Sequence, residues 1–367
     1  MAGAKIREEA AALGCDQAQA ISTVSRETGQ VTYRGYAVDA LCRRHSFEEV
    51  AYLLWHGELP TYEQVSAQNR AERAQRALGP DIAAIVADQP PGTHPIDILQ
   101  AAVSVLGAQD PGRHETGAAT VRAKALRVFA VLPTVIAMDQ RHRHGLGPVA
   151  PRDHLSYAAN FLCMTLGQVP EPQVVAAFEK CLILNAGPCF GGSAVTAPVA
   201  SGPVSNIYTA VGDRIGALQG PLQAGAGDVV EMLNQVAIPD NAKPWVEEAL
   251  ADARHIAGFD GRPEKKADSR VPAMRAALGL VATLRGGQDI LDVYDALAAA
   301  MFEAKRLHPR LDCPTGPALH LIGFGASAFG AILAAARLPS WTARIAEELA
   351  PGTPGLIDVP PAPSPLR

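Results

Sequence analysis

The sequence predicts an all-α fold, and three observations lead there. Apolar residues recur at spacings of three and four through most of the chain, cap-like residues bracket those runs, and only one short pair of segments leans towards strand. No internal repeat of 20–50 residues is visible, so a solenoid is excluded.

The strand-leaning pair comes first. Ile21–Val24 and Gln30–Tyr33 flank Arg26–Gly29, which predicts a hairpin with Gly29 at its turn. Ser46-Phe47-Glu48-Glu49 then reads as a capping box, and the helix it opens buries Phe47, Val50, Ala51 and Leu54 before stopping at Gly57. Leu59-Pro60-Thr61 leads into a second capped helix, with Gln64 at the box position. Another helix opens at Pro95 and ends near Gly107, and Gln109–Thr120 is a charged connector.

Helices are expected over Ala123–Met138, Leu155–Leu166, Gln173–Leu184, Ile207–Gly216, Trp245–Ile256, Pro272–Arg285 and Asp289–Glu303. Between 186 and 205, four glycines and three prolines break the pattern, and Gly258–Arg270 reads as a charged loop. Ala318–Leu338 is the longest apolar run. Its glycines, Ser327 and His320 mark buried core helices rather than a membrane span. Pro339-Ser340-Trp341 is expected to begin a separate last helix reaching Ala350, and the tail beyond it is proline-rich.

A chain of 367 residues with 48% hydrophobic and 19% charged residues is long enough for two domains, or for one large domain with an inserted lobe. A net charge of −5 argues against sequence-independent nucleic-acid binding. The six cysteines (15, 42, 163, 181, 189 and 313) form no CxxC pair, so neither a disulfide framework nor a metal site is expected. The N-terminus has no apolar signal-like core, and the expectation is a soluble, cytoplasmic protein.

One stretch stands apart. Ile215–Leu233, IGALQGPLQAGAGDVVEML, packs Gly216, Gly220, Gly225, Gly227 and Pro221 ahead of a resumed helical pattern at Val229. A small-residue loop opening onto a helix N-terminus presents free N–H groups suited to an anion or a developing oxyanion. The polar side chain at its centre is Gln223.

The segment Thr32–Thr61, TYRGYAVDALCRRHSFEEVAYLLWHGELPT, resembles the N-terminal signature of the citrate synthase family. HPIDILQAAVS, LSYAANFLCMTLG, IGALQGPLQAGA, GFDGR, PRLDCPTG and FGAILAAARLPSWTARIAEEL follow in the family's order, from about residue 20 to 350. The resemblance implies a large helical domain (1–224 and 313–367), a smaller inserted helical domain (225–312), a cleft that closes on substrate, and a homodimer. It also implies a reaction that joins an acyl-CoA thioester to a 2-oxo acid, with coenzyme A thioester as substrate and no permanently bound cofactor or metal.

Residue by residue, the resemblance places Asp312 on the catalytic aspartate, and Arg270 and Arg337 on carboxylate-binding arginines. Arg262 and Lys265 are candidates for the CoA phosphates, within a loop that also holds Asp260, Glu264 and Asp268. The departures concern histidines. Gln223 replaces the one that steadies the thioester enol oxygen, and Asp260-Gly261 replaces Gly-His. The LHADHE motif has become Asn185, Gly187, Pro188 and Cys189, and Pro198 stands for an arginine.

Gln223 keeps an amide N–H that can donate to an oxyanion but cannot transfer a proton at neutral pH. Cys189 and Cys313 adjoin the site motifs without a neighbouring histidine, which favours packing over nucleophilic roles. His142 and His144 read as a solvated helix end. Two functional readings follow. One is a divergent acyltransferase of citrate synthase type that does not perform ordinary citrate synthesis. Here Asp312 and Gln223 are catalytic, and Arg270 and Arg337 bind substrate. The other is a non-catalytic paralogue, a structural or regulatory subunit of a mixed oligomer or a metabolite-binding protein.

Overall fold

In the computed structural model, which describes residues 21–25, 27–90, 92–187, 206–219, 225–259 and 267–349, the chain opens on a small antiparallel sheet. Strands β1 (Ser22–Val24), β2 (Val31–Tyr33) and β3 (Tyr36–Ala37) lie in that order, with Ser22 opposite Tyr33 and Thr32 opposite Ala37. The expected hairpin is there, with Gly29 at φ +72° in its turn. A second tight turn at Arg34–Gly35 (φ +48° and +81°) adds the third strand.

Every regular element after the sheet among the described residues is helical. The α-helices among the described residues are α1 (Val38–Arg44), α2 (Phe47–His56), α3 (Tyr62–Arg73), α4 (Pro80–Ala87), α5 (Pro95–Ala108), α6 (Ala118–Arg143), α7 (Tyr157–Leu166) and α8 (Pro172–Asn185). They continue with α9 (Ile207–Gly216), α10 (Ala226–Val236), α11 (Ala242–Ala251), α12 (Val271–Arg285), α13 (Gln288–Lys305), α14 (Asp312–Ile322) and α15 (Phe329–Glu348). Both expected capping boxes form. Ser46 Oγ accepts the Glu49 N–H while Glu49 accepts the Ser46 N–H, and Thr61 and Gln64 do the same for α3.

Three expectations need correction. Helices α1 and α4, of seven and eight residues, are additional to the expected ones; neither carries a side-chain cap, and Pro80 at the first position of α4 is its local start signal. The helix expected over Trp245–Ile256 ends at Ala251. Pro339 does not open a new helix but lies inside α15, which runs unbroken from Phe329. A proline in a helix interior costs about 3 kcal/mol. Here burial of Leu338, Thr342, Ala343 and Ile345 offsets that cost, while the Ser340 and Thr342 hydroxyls donate to the carbonyls of Arg337 (2.9 Å) and Leu338 (2.8 Å).

The core is held at two aromatic clusters. Phe47, Trp55, Phe129 and Tyr157 join α2, α6 and α7, with the Phe129 and Tyr157 rings stacked 4.2 Å apart. Phe161, Phe178 and Phe324 join α7 and α8 to the turn after α14. The long apolar run is two core helices, α14 and α15, parted at Gly323 (φ +116°). No helix among the described residues is long and apolar enough to cross a membrane. Helix α8 packs against α1, α2, α7, α12, α14 and α15.

Candidate active site

Helix α8 ends at Asn185, and two of the sequence-predicted residues are fixed around that end. One is Asp312, the first residue of α14, which packs against α8; it is 9% exposed. A carboxylate in the first turn of a helix is favoured by the axial dipole. Its backbone is tied down: Arg310 N–H donates to the Gly258 carbonyl (2.8 Å) and Cys313 N–H to the Arg310 carbonyl (3.0 Å). Thr315 Oγ1 donates to the Leu311 carbonyl (2.7 Å) and accepts from Asn185 Nδ2 (3.4 Å), so the end of α8 and the start of α14 share one hydroxyl.

Two glycines permit this approach. Gly258 has φ +80°, and a Cβ there would come within 2.9 Å of Cys313 Cβ. A Cβ on Gly316 would collide with the carbonyl oxygen of Ala226, the first residue of α10. The glycine-rich stretch singled out in the sequence therefore delivers its helix, α10, directly onto the Asp312 helix. The Gly225 N–H is capped by Asp228 Oδ2 at 2.8 Å.

Arg270, fully buried, also lies at the end of α8. Its Nε and Nη2 form a bidentate pair with Asp268 (3.0 and 2.7 Å), and its Nη1 donates to the Leu184 carbonyl (3.2 Å). Asp268 also accepts the Arg270 backbone N–H (2.9 Å). Tyr33, from the N-terminal sheet, packs against this pair. Burial pushes its phenol up to about 12, with the Arg270 guanidinium pulling the other way, so the ring stays neutral. The Tyr33 hydroxyl lies 3.1 and 3.2 Å from the Ile183 and Leu184 carbonyls as donor and accepts the Gly187 N–H at 2.8 Å.

The hairpin is anchored to the same place. Ser269 N–H donates to the Gly29 carbonyl (3.0 Å), and Val31 N–H donates to Ser269 Oγ (3.1 Å). The sequence offered no local sign that Tyr33 belongs here, because its partners lie more than 140 positions away. Asp268, in contrast, was legible: an Asp two residues before an Arg can pair with it, although the sequence alone counted it only as loop charge.

Arg337 is 9% exposed on α15, which packs against α8. Gln223, Arg262 and Lys265 lie outside the described residues, as do Pro188, Cys189, Pro198, Asp260, Gly261 and Glu264. Cys313 is fully buried, and burial with the neighbouring Asp312 carboxylate raises its thiol far above the ordinary range, which suits a packing residue. His144 Nδ1 donates to the Gln140 carbonyl (2.7 Å) at the end of α6. A cavity of about 690 Å³ opens there, lined by His144, Asp228, Glu231, His320, Phe324 and Ser327 among others, and none of the predicted site residues lines it.

A carboxylate at a helix start and a buried, rigidly oriented guanidinium thus both lie by the end of α8. The comparisons point the same way. The family model for citrate synthase, C-terminal domain, matches residues 16–355. A 2-methylcitrate synthase of Mycobacterium tuberculosis is 46% identical over 330 residues, covering 90% of this chain and 84% of that protein. A citrate synthase of Mycolicibacterium smegmatis is 45% identical over 333 residues, covering 90% and 88%. The crystal structure of citrate synthase from Pyrobaculum aerophilum matches with a TM-score of 0.81 at 29% identity, covering 90% of this chain and 86% of that one. The chain belongs to the citrate synthase family.

Proposed function

We propose that the chain is a condensing enzyme of the citrate synthase type, acting on an acyl-CoA thioester and a 2-oxo acid or related acceptor. What supports this reading is that Asp312 and Arg270 both lie by the end of α8: Arg270 donates to the Leu184 carbonyl (3.2 Å), and Thr315, one turn after Asp312, accepts from Asn185 (3.4 Å). Similarity to a 2-methylcitrate synthase and to a citrate synthase supports the reaction class.

In this mechanism the Asp312 carboxylate removes a proton from the carbon next to the thioester carbonyl. The Gln223 amide donates to the enolate oxygen that forms. The carbanion attacks the ketone carbon of the acceptor, whose carboxylates are held by Arg270 and Arg337, and water then cleaves the thioester to release the free thiol of CoA. Arg262 and Lys265 meet the CoA phosphates. Residues 225–312 form the smaller domain and the rest the larger, and the active unit is a homodimer.

The missing imidazoles set the finer reading. Losing general acid–base assistance lowers a rate about 10²–10⁴-fold per group, so ordinary citrate synthesis is not the principal activity. The test is thiol release by the purified protein, offered acetyl-CoA and propionyl-CoA with a panel of 2-oxo acids. Release with at least one pair, abolished in Asp312→Ala, is the expected result. Absence of release with every pair, together with no CoA binding by calorimetry, would overturn the reading. Rapid release with oxaloacetate and acetyl-CoA would overturn the divergent part of it.

A further inference from the structure

The residue that caps α5 is a histidine. His94 Nδ1 accepts the Ile96 N–H (3.2 Å), and the Gln219 amide nitrogen lies 3.1 Å from the same atom. Gln219 Nε2 also donates to Asp97 Oδ1 (2.8 Å). The carboxylate orients the whole cluster. Because it only accepts, it fixes the nitrogen end of the Gln219 amide towards α5, and the second hydrogen of that nitrogen is left for His94. His94 Nδ1 therefore serves two donors, which requires a neutral imidazole with its hydrogen on Nε2.

All three side chains are exposed, so the cluster adds little to the core. What it does is join the first turn of α5 to Gln219, the last residue of the short 3₁₀ helix Ala217–Gln219 that follows α9. In the sequence, the glycine-rich stretch runs on from Gln219 towards Gln223. Helix α9 itself is held to α5 without the cluster. Gln100 Nε2 donates to the Gly212 carbonyl (2.9 Å), and the Gln100 amide occupies the space that a Cβ at position 216 would need. The tie through Gln219 thus acts on the 3₁₀ helix alone. The charged groups beside His94 are Asp97 on α5 and Arg143 on α6, which donates to the Thr93 carbonyl (2.6 Å) and is paired with Asp139 (2.8 Å). On α9, Arg214 is paired with Glu348; α15 meets this end of α5 with Gly330 beside Ile96, and the 3₁₀ helix carries no charge.

From this geometry we infer that His94 is a positioning residue for the proposed reaction: as the neutral imidazole it fixes the end of the 3₁₀ helix, and so the point from which the chain enters the glycine-rich stretch. The inference rests on the functional reading above. In acid both ring nitrogens carry hydrogens, neither bond to Nδ1 can form, and Gln219 keeps only Asp97.

Thiol release by the full-length protein, measured with its preferred acyl-CoA and 2-oxo acid between about pH 5.5 and 8, is the test, with amide exchange of residues 213–219 followed alongside. Gln219→Ala leaves the α5 cap in place and removes the tie. It should lower kcat about three- to tenfold, the effect of one hydrogen bond, with KM for the 2-oxo acid changed less than about twofold. Because the cluster is exposed, its melting temperature should stay within about 2 °C of the parent's. His94→Ala should lower kcat by a similar factor. His94→Asn presents an acceptor at the Nδ1 position and takes up no proton, and it should recover at least about half of the lost kcat at neutral pH. Below about pH 6 the parent should lose kcat and exchange faster at 217–219, both relative to His94→Asn. An unchanged kcat in Gln219→Ala overturns the inference, as does an acid loss that His94→Asn shares. A loss confined to His94→Ala means that the histidine only caps α5, and overturns it too. If the parent is active and every variant matches it, the functional reading stands and only the inference falls. If the parent releases no thiol with any pair, both fall.

Discussion

Tyr33 and Gly187 share one space: the Tyr33 hydroxyl accepts the Gly187 N–H at 2.8 Å, and a Cβ at position 187 would run into the Tyr33 ring. Overpacking a fixed core typically costs about 1–3 kcal/mol. Gly187→Ala should therefore lower stability by about that much in urea titration. Adding Tyr33→Leu should recover part of the loss, giving a coupling above about 0.5 kcal/mol. Additive effects would mean that the two residues do not meet.

Gly316 presents a harder obstacle, since the atom in the way belongs to backbone rather than to a ring that can tilt. Gly316→Ala should displace the start of α10 from α14. A melting temperature lowered by several degrees is expected, with faster amide exchange over residues 226–236. Unchanged exchange there would show that the two helices do not touch at this point.

Asp268→Asn removes the charge that faces a fully buried Arg270. Breaking such a pair on one side costs about 3–5 kcal/mol because the remaining charge is left uncompensated. Chemical denaturation should read a loss in that range. Asp268→Glu should do better than Asn if the pair, and not the space, is what counts.

Glu179 supplies a pH dependence. Burial, with Glu48 and Glu49 nearby, pushes its carboxyl from the ordinary 4.5 to about 7, against the opposing hydrogen bond from the Phe47 N–H (3.3 Å). Between those two values the folded protein holds a proton that the unfolded chain has lost. This contribution to stability is therefore lost as pH rises from about 4.5 to about 7, and is level beyond. Glu179→Gln keeps the acceptor for Phe47 and removes the titration. It should raise stability at pH 8 by about 1–3 kcal/mol and leave it nearly unchanged at pH 4. A variant with the same pH slope as the parent would contradict the assignment.

Much of the fold was legible because its signals are local. Ser46 with Glu49 and Thr61 with Gln64 announce helix starts within four residues, and Gly57 and Gly167 end helices in the left-handed conformation that glycine favours. Pro339 was misread for the complementary reason. Whether a helix survives a proline depends on what packs around it, here Trp55 donating to Thr342 Oγ1 (2.8 Å) from a helix almost 290 positions earlier. At the site, family motifs pointed to Asp312, Arg270 and Arg337. No spacing along the chain could announce that Thr315 joins Asn185, or that Tyr33 backs Arg270.

The docking of the hairpin on Ser269 also constrains how the protein is made. Val31 and Ser269 are 238 positions apart. At ribosomal speeds of about 5–20 residues per second, the hairpin emerges roughly 10–50 s before the serine that anchors it. For that interval β1–β3 have only each other, and a two- or three-stranded ribbon is marginal alone. Arg270, buried beneath the same hairpin, cannot be seated any sooner. The Arg270 end of the proposed site is thus assembled late, when the first strands made receive residues from the chain's second half.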